Sequence, residues 1–154
     1  CQESTRVRTP GDEDSRTVLR AVRCAPMARE SRPPMGYQLL IGLDIYERGD
    51  GYSRARIVLT EDHMNPHGVV HGGVLYSMAD TSMGGALYSR LSEDESCATI
   101  EVKMVYMASV REGTVECETK LLHKGKRIAV LESEVRSGER LIAKALGTFA
   151  IFPA

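Results

Sequence analysis

The sequence predicts an α+β protein in which one long central helix is wrapped by a five- to six-stranded antiparallel β-sheet. Three observations lead to this prediction. A β-hairpin pattern occupies residues 37–60, an almost wholly apolar helical segment begins near Gly73, and four segments of alternating polarity follow between residues 99 and 152. Because neither a helix nor a sheet can leave a broad apolar face in water, we expect the two to pack on one another.

The hairpin is predicted from two strand-like segments on either side of a turn. The first, YQLLIGLDIY, starts at Tyr37, and the second, RARIVLT, alternates polar and apolar side chains with a period of two residues. Between them lie Gly49, Asp50 and Gly51, which are residues that tolerate the positive φ angles of tight hairpin turns. Residues 37–60 are therefore expected to form two antiparallel strands.

The central helix is predicted from the residues that follow Gly73. One broad face is formed by residues three or four positions apart, namely Val74, Leu75, Met78, Ala79, Ser82, Met83 and Ala86. The opposite face, with Tyr76, Asp80 and Leu87, is barely more polar. A helix that is apolar nearly all round is usually buried on several sides, so we expect the sheet to enclose it.

Four segments after the acidic loop SEDES are predicted to be strands. They span residues 99–108, 113–122, 126–136 and 140–152, and each alternates polar and apolar side chains. The connections VREG, HKG and SGE are short, which is typical of hairpins between antiparallel neighbours. The four strands are therefore expected to form a meander in chain order.

Size and composition are those of one ordinary domain. The chain has 154 residues, 42% of them hydrophobic, and a formal net charge of -1, so no positive field would attract it to nucleic acid or to an anionic membrane. No apolar run approaches the roughly 20 residues of a bilayer span, and no secretory-signal pattern is present, so we expect a cytoplasmic protein. Residues 1–34 have the composition of a flexible arm that precedes a domain at residues 35–154.

Three histidines four residues apart raise the question of a metal site. On one helix, His63, His67 and His71 would place three imidazoles on the same face. Pro66 and the glycines at 68, 72 and 73 oppose that helix. No Cys, Asp or Glu at a supporting spacing completes a ligand set, so no metal is predicted.

The same stretch is better explained as a loop that enters a helix at Gly72 and Gly73. The first N–H groups of a helix lack internal partners and lie at the positive end of its dipole, where they stabilise an oxygen that gains negative charge. Glycine lets a substrate approach this backbone closely. Asp80 follows about 10 Å along the axis from Gly73. A carboxylate in so apolar a helix has either a structural partner or a catalytic role. Because helical side chains point toward the helix N-terminus, the Asp80 side chain is directed toward the loop, and this favours a catalytic role.

The pattern N-x5-H-G-G-x6-D, which runs from Asn65 to Asp80, resembles that of the hotdog-fold acyl-CoA thioesterases, in the PaaI-like (phenylacetate-degradation type) branch. The resemblance covers roughly residues 36–152 and implies the hotdog fold. It implies that the Gly72 N–H polarises a thioester carbonyl and that Asp80 activates water or attacks directly. One polarising N–H site and one carboxylate suffice for such chemistry, because the thiolate leaves readily.

The resemblance also implies a homodimer that joins two sheets edge to edge, often paired again into a tetramer, with active sites at the subunit interface. Asn65 matches a position that orients the water or the substrate carbonyl, and His71 matches one that lines the same pocket. Thr99 matches a small hydroxyl residue supplied by the partner subunit; alternatively, it is an ordinary β-branched strand residue.

Substrate contacts are predicted in three places. The glycine backbone at Gly73 admits the substrate. Candidates for the acyl pocket, or alternatively plain core residues, are Tyr76, Met83, Leu87 and Met104. Candidates for the CoA phosphates, or alternatively solvated turn residues, are Arg111, Lys124, Lys126 and Arg127. No cofactor is implied, because CoA is part of the substrate.

Two other functions fit the same fold. A hotdog hydratase or dehydratase would pair a histidine with an acid, and His71 with Asp80 resembles such a pair, although the HGG loop with the acid nine residues after His71 favours the thioesterase. A non-catalytic acyl-CoA binding or sensor protein would have no use for a buried carboxylate. Residues 1–34 also lack the helix-turn-helix pattern of a transcriptional sensor.

Overall fold

The computed structural model describes residues 36–154 as a six-stranded antiparallel sheet packed on one long helix. In chain order the elements are α1 (Tyr37–Leu40), β1 (Asp44–Gly49), β2 (Tyr52–Val58), a 3-10 turn (Glu61–His63), α2 (Gly72–Tyr88), β3 (Glu95–Tyr106), β4 (Thr114–Lys124), β5 (Ile128–Ser137) and β6 (Arg140–Pro153). The α+β class and the central helix are confirmed. The predicted arm at residues 1–34 lies outside the described residues. Within residues 36–154, no helix has both the length and the hydropathy needed to cross a bilayer.

The predicted hairpin is confirmed in its turn and second strand and is wrong in its first residues. Gly49 pairs with Tyr52 across the two turn residues, whose φ angles are 49° at Asp50 and 80° at Gly51, as a twist-matched hairpin turn requires. Tyr37–Leu40 is a short helix, and the first strand begins only at Asp44. The segment YQLLIG lacks the alternation of polar and apolar residues that is typical of a strand, and it forms a helical turn instead.

The predicted order of the meander is wrong for one strand. The sheet order is β1-β2-β4-β5-β6-β3, so β3 pairs with β6 and not with β4. Because β3 ends at Tyr106 and β4 begins at Thr114, the intervening residues 107–113 reach about 23 Å when extended, whereas three strand spacings need only about 14 Å. The β4–β5 and β5–β6 hairpins are confirmed.

The core lies between α2 and one face of the sheet. Alternate residues of the strands point toward the helix and are buried, among them Ala55, Ile57, Val115, Leu131, Val135 and Phe149. On α2 the buried residues are Leu75, Met78, Ala79, Ser82, Met83, Gly85, Ala86 and Leu87. A row four residues apart, at positions 72, 76, 80, 84 and 88, stays partly accessible. The helix is therefore enclosed on several sides but not on all.

Candidate active site

The N-terminus of α2 presents one amide, that of Gly72, without a hydrogen-bond partner among residues 36–154. His71 is the N-cap, and its Nδ1 accepts the Gly73 N–H at 2.9 Å, while the backbone N–H of Val74 donates to the His71 carbonyl. The Gly72 N–H forms no hydrogen bond within residues 36–154. Since the Gly73 amide is engaged by the cap, Gly72 is the residue of the pair that can donate to a substrate.

Tyr106, which the sequence analysis missed, holds the same turn of the helix. Its hydroxyl donates to the Gly72 carbonyl at 3.0 Å, and a Cβ added to Gly72 would lie 3.2 Å from the Tyr106 ring. Burial, with a smaller effect of nearby Tyr76, raises the pKa of Tyr106, so the phenol remains a donor. Both residues line a cavity of about 360 Å³. The sequence carries no signal for this contact, because the partners are 34 positions apart.

The loop before α2 is ordered by its own polar groups. The Asn65 Oδ1 accepts the backbone N–H groups of His67 at 2.9 Å and Val69 at 3.4 Å. Arg111 donates to the carbonyls of His67 and Gly68 at 3.2 and 2.9 Å. Asn65 thus keeps only its side-chain N–H groups for a substrate, and one nitrogen of the Arg111 guanidinium is committed to the loop rather than to a phosphate.

The histidines differ in environment and do not converge on one point. His63 is buried, with Nδ1 accepting the Thr60 N–H at 2.9 Å and Nε2 lying 3.2 Å from the Ile41 carbonyl. His67 is exposed, and His71 caps α2. In the part of the chain that the structure describes, no group of three or more His, Cys, Asp or Glu side chains could hold a metal.

Asp80 and Thr99 form the second part of the site. Asp80 is half-buried, and the Thr99 hydroxyl donates to its Oδ1 at 2.7 Å. This contact joins two residues of the same chain, and the role of Thr99 at a subunit interface stays a prediction. No other hydrogen bond to the Asp80 carboxylate occurs among residues 36–154, and Asp80 lines the cavity beside it.

That cavity, which we call the Asp80 cavity, has a volume of about 500 Å³ and mixed walls. Ile45, Phe149 and the half-buried Cys97 supply apolar surface, and Arg48 supplies a cation that the sequence analysis did not single out. Burial raises the pKa of the Cys97 thiol, so this cysteine is protonated and a poor nucleophile. Asp80 is therefore the group in the cavity that is suited to activate water.

The other predicted substrate contacts are not brought together. Met83 is fully buried in the core, so it lines no acyl pocket, while Tyr76 is exposed beside Tyr106. Lys124 forms an ion pair with Glu95 at 3.0 Å. Lys126 and Arg127 are exposed in the β4–β5 turn and line neither cavity.

The Gly72 amide and the Asp80 carboxylate are well separated in one chain. They are eight residues apart on α2, which corresponds to about 12 Å along the axis. They also line different cavities, one containing Gly72 and Tyr106 and the other containing Asp80 and Thr99. One carbonyl group in contact with both would need them within about 6 Å.

Comparisons with known proteins agree on one family. Residues 67–144 match the family model described as thioesterase superfamily. A putative esterase of Archaeoglobus fulgidus is 35% identical, with 71% of this chain and 70% of the relative covered. The acyl-coenzyme A thioesterase PaaI of Escherichia coli is 29% identical over 62% of this chain and 66% of the relative.

Solved structures agree with this assignment. A conserved protein of Pseudomonas aeruginosa is similar, with a TM-score of 0.75 and 40% identity over 77% of this chain and 95% of that chain. A mutant of the phenylacetic acid degradation protein PaaI from Thermus thermophilus has a TM-score of 0.69 and 26% identity, covering 74% of this chain and 96% of that chain. The arrangement of the sheet and the long helix is therefore shared with these two solved structures.

Proposed function

This chain belongs to the thioesterase superfamily and is a thioester hydrolase, and from that premise we propose that it hydrolyses acyl-CoA to a free acid and CoA, with Asp80 as the general base or nucleophile. The observation that supports this most directly is the Asp80 carboxylate. Its Oδ1 accepts the Thr99 hydroxyl, and Asp80 lines a cavity with mixed polar and apolar walls. The name of the Escherichia coli relative, an acyl-coenzyme A thioesterase, supports CoA as the carrier.

The chemistry requires a base and a polarising donor. As base, Asp80 takes a proton from water while the water oxygen attacks the carbonyl carbon, and the C–S bond then breaks as the thiolate leaves and is protonated. As nucleophile, the carboxylate attacks the carbonyl carbon and forms an anhydride as the C–S bond breaks and the thiolate leaves, and water then hydrolyses the anhydride. In either route the Gly72 N–H stabilises the negative charge on the carbonyl oxygen. The Thr99 hydroxyl orients the carboxylate in both.

We further propose that the site is completed by a second copy of the chain. A separation of about 12 Å prevents one carbonyl from contacting the Gly72 amide and the Asp80 carboxylate of the same chain. A second protomer that supplies one of the two groups removes this difficulty. In this arrangement each dimer has two sites, and each site takes its acid from one subunit and its amide from the other.

The open edge of the sheet supports such a dimer. β3 is an edge strand of 12 residues with exposed Ile100, Val105 and Tyr106, and a long edge of this kind invites pairing with another strand. Thr99, beside Asp80, and Tyr106, beside Gly72, both lie on it. A two-fold axis that crosses β3 near Val102, midway between them, would set Thr99 opposite Tyr106 of the partner subunit and so bring the two half-sites together.

No observation favours a hydratase. That chemistry needs a histidine and an acid that act on one carbon atom, and the His71 Nδ1 is committed to the Gly73 N–H. For the nucleotide end of the substrate, Lys126 and Arg127 remain candidates because both are exposed.

The test combines activity with subunit mixing. Thiol release is measured over short, medium, long and aromatic acyl-CoA substrates for the native protein and for Asp80→Asn, and the variant is expected to lose at least about a hundredfold in kcat. Asp62→Asn is the matched control, because Asp62 is exposed and lines neither cavity. Full activity in Asp80→Asn would exclude Asp80 from the mechanism.

Mixing then tests the shared site. Asp80→Asn and Gly72→Pro, which removes the amide hydrogen, are refolded together. If each site combines two subunits, half of the dimers are mixed and each holds one intact site, so about a quarter of native activity returns. If both groups act within one chain, the mixture stays inactive.

A further inference from the structure

We propose that Gly84 determines the size of the acyl group that the enzyme accepts, because the absence of a side chain there leaves room for the acyl group next to Asp80. The inference deepens the proposed thioesterase function and rests on it. Its basis is a helix-interior glycine that nothing else in the described chain explains.

Glycine is unfavourable in the interior of a helix, so each of the two adjacent glycines of α2 calls for a reason. At Gly85 an added Cβ would lie 3.4 Å from the Ile45 Cδ1 and 3.7 Å from the Arg48 Cδ, which are ordinary van der Waals contacts with the ends of two side chains. For Gly84 an added Cβ would meet no atom within 4 Å, and its φ angle is not in the left-handed region. Neither steric crowding nor backbone conformation within the chain requires glycine at this position.

The position of Gly84 supplies the missing reason. It lies four residues after Asp80 on the same helix, and side chains at this spacing are neighbours on the helix surface. Both residues line the Asp80 cavity, together with Ile45 and Phe149. A thioester whose carbonyl carbon is attacked at Asp80 therefore places the first atoms of its acyl group beside Gly84. The bare backbone there widens the cavity where the acyl group enters.

The test measures how substrate preference changes when this space is filled. Gly84→Ala and Gly84→Leu are compared with the native enzyme on acetyl-, butyryl-, octanoyl- and benzoyl-CoA. We expect Gly84→Leu to lower kcat/KM at least 30-fold for octanoyl- and benzoyl-CoA and less than threefold for the smallest substrate that the native enzyme hydrolyses. Gly84→Ala should shift the preference in the same direction by a smaller factor, with an unchanged or higher Tm.

Gly49→Ala is the matched control. An added Cβ at Gly49 also meets no atom within 4 Å, and Gly49 does not line the Asp80 cavity. Its substrate profile should be that of the native enzyme.

Three results would overturn the inference. If the native enzyme is active and Gly84→Leu has the same substrate profile, Gly84 has no role in substrate selection, whereas the thioesterase function is unaffected. A native enzyme that hydrolyses none of these acyl-CoA substrates would contradict the proposed function and, with it, this inference. Dissociation of Gly84→Ala into monomers in light scattering would mean that the glycine accommodates a neighbouring subunit instead of an acyl group.

Discussion

Replacing Gly72 by proline and by alanine separates carbonyl polarisation from packing. Gly72 is the first residue of α2, where proline is well tolerated because its φ suits the helix and no internal hydrogen bond is lost. The preceding residue, His71, already has ψ of 131°, as a residue before proline prefers. Gly72→Pro therefore deletes one N–H group with little effect on the helix. Gly72→Ala adds a Cβ at the same place and keeps the N–H.

The expected magnitudes differ between the two variants. Either Cβ lies 3.2 Å from the Tyr106 ring, so the ring must move by a few tenths of an ångström. Even complete loss of the 3.0 Å bond from Tyr106 to the Gly72 carbonyl would cost only about 0.5–1.5 kcal/mol, which limits the effect on the rate to about tenfold. Deletion of a donor to the developing oxyanion costs a further factor of about 10²–10³ in kcat. Both variants carry the added Cβ and only the proline variant lacks the N–H, so the ratio of their kcat values measures the effect of the lost hydrogen-bond donor.

The assay is thiol release under saturating acyl-CoA, with circular dichroism and light scattering to establish that both variants keep fold and assembly. We expect alanine to retain at least about a tenth of native kcat and proline to fall at least about a hundredfold below alanine. A proline variant within threefold of the alanine variant would refute carbonyl polarisation by the Gly72 amide.

Two further predictions concern stability. His63→Ala should lower the free energy of unfolding, measured in urea, by about 2–4 kcal/mol, because it empties a buried site and leaves the Thr60 N–H and the Ile41 carbonyl unpaired. The kcat per folded molecule should change less than about threefold. A selective loss of kcat would contradict this structural role of His63. Hydrogen bonding to Lys120 and a nearby arginine lowers the pKa of Glu118 from 4.5 to about 2, so its stabilising effect is present above pH 4.5 and is lost as the pH falls toward 2. The stability difference between the native protein and Glu118→Gln should therefore become smaller as the pH falls from 4.5 toward 2. A difference in urea midpoints that stays constant over this range would contradict the stabilising role of the Glu118 carboxylate.

The elements that the sequence predicted correctly are those with local signals. The hairpin turn follows from Asp50 and Gly51, which adopt the positive φ angles expected of them. The start of α2 follows from the loop residues and Gly72, and the helix occupies 72–88. Glycine, turn residues and apolar periodicity act within a few positions, so they are legible without knowledge of the fold.

The errors concern contacts between distant residues. The place of β3 beside β6 depends on a connection long enough to cross the sheet, and its pattern of side chains is the same in either position. The fold also places one nitrogen of the Arg111 guanidinium against the carbonyls of His67 and Gly68, a contact for which the sequence has no signal. Met83 has the spacing of a pocket residue and is core.

By itself the sequence determined the class of fold, the long apolar helix, the loop that leads into it and the pattern from Asn65 to Asp80 that marks the family. Only the tertiary structure showed that Thr99 bonds Asp80 within one chain, that Tyr106 holds Gly72, and that Gly84 faces open space. It also separated the amide from the carboxylate into two cavities. The physical reason is that backbone preferences are set by near neighbours, whereas a site is set by side chains that chain folding brings together from distant positions.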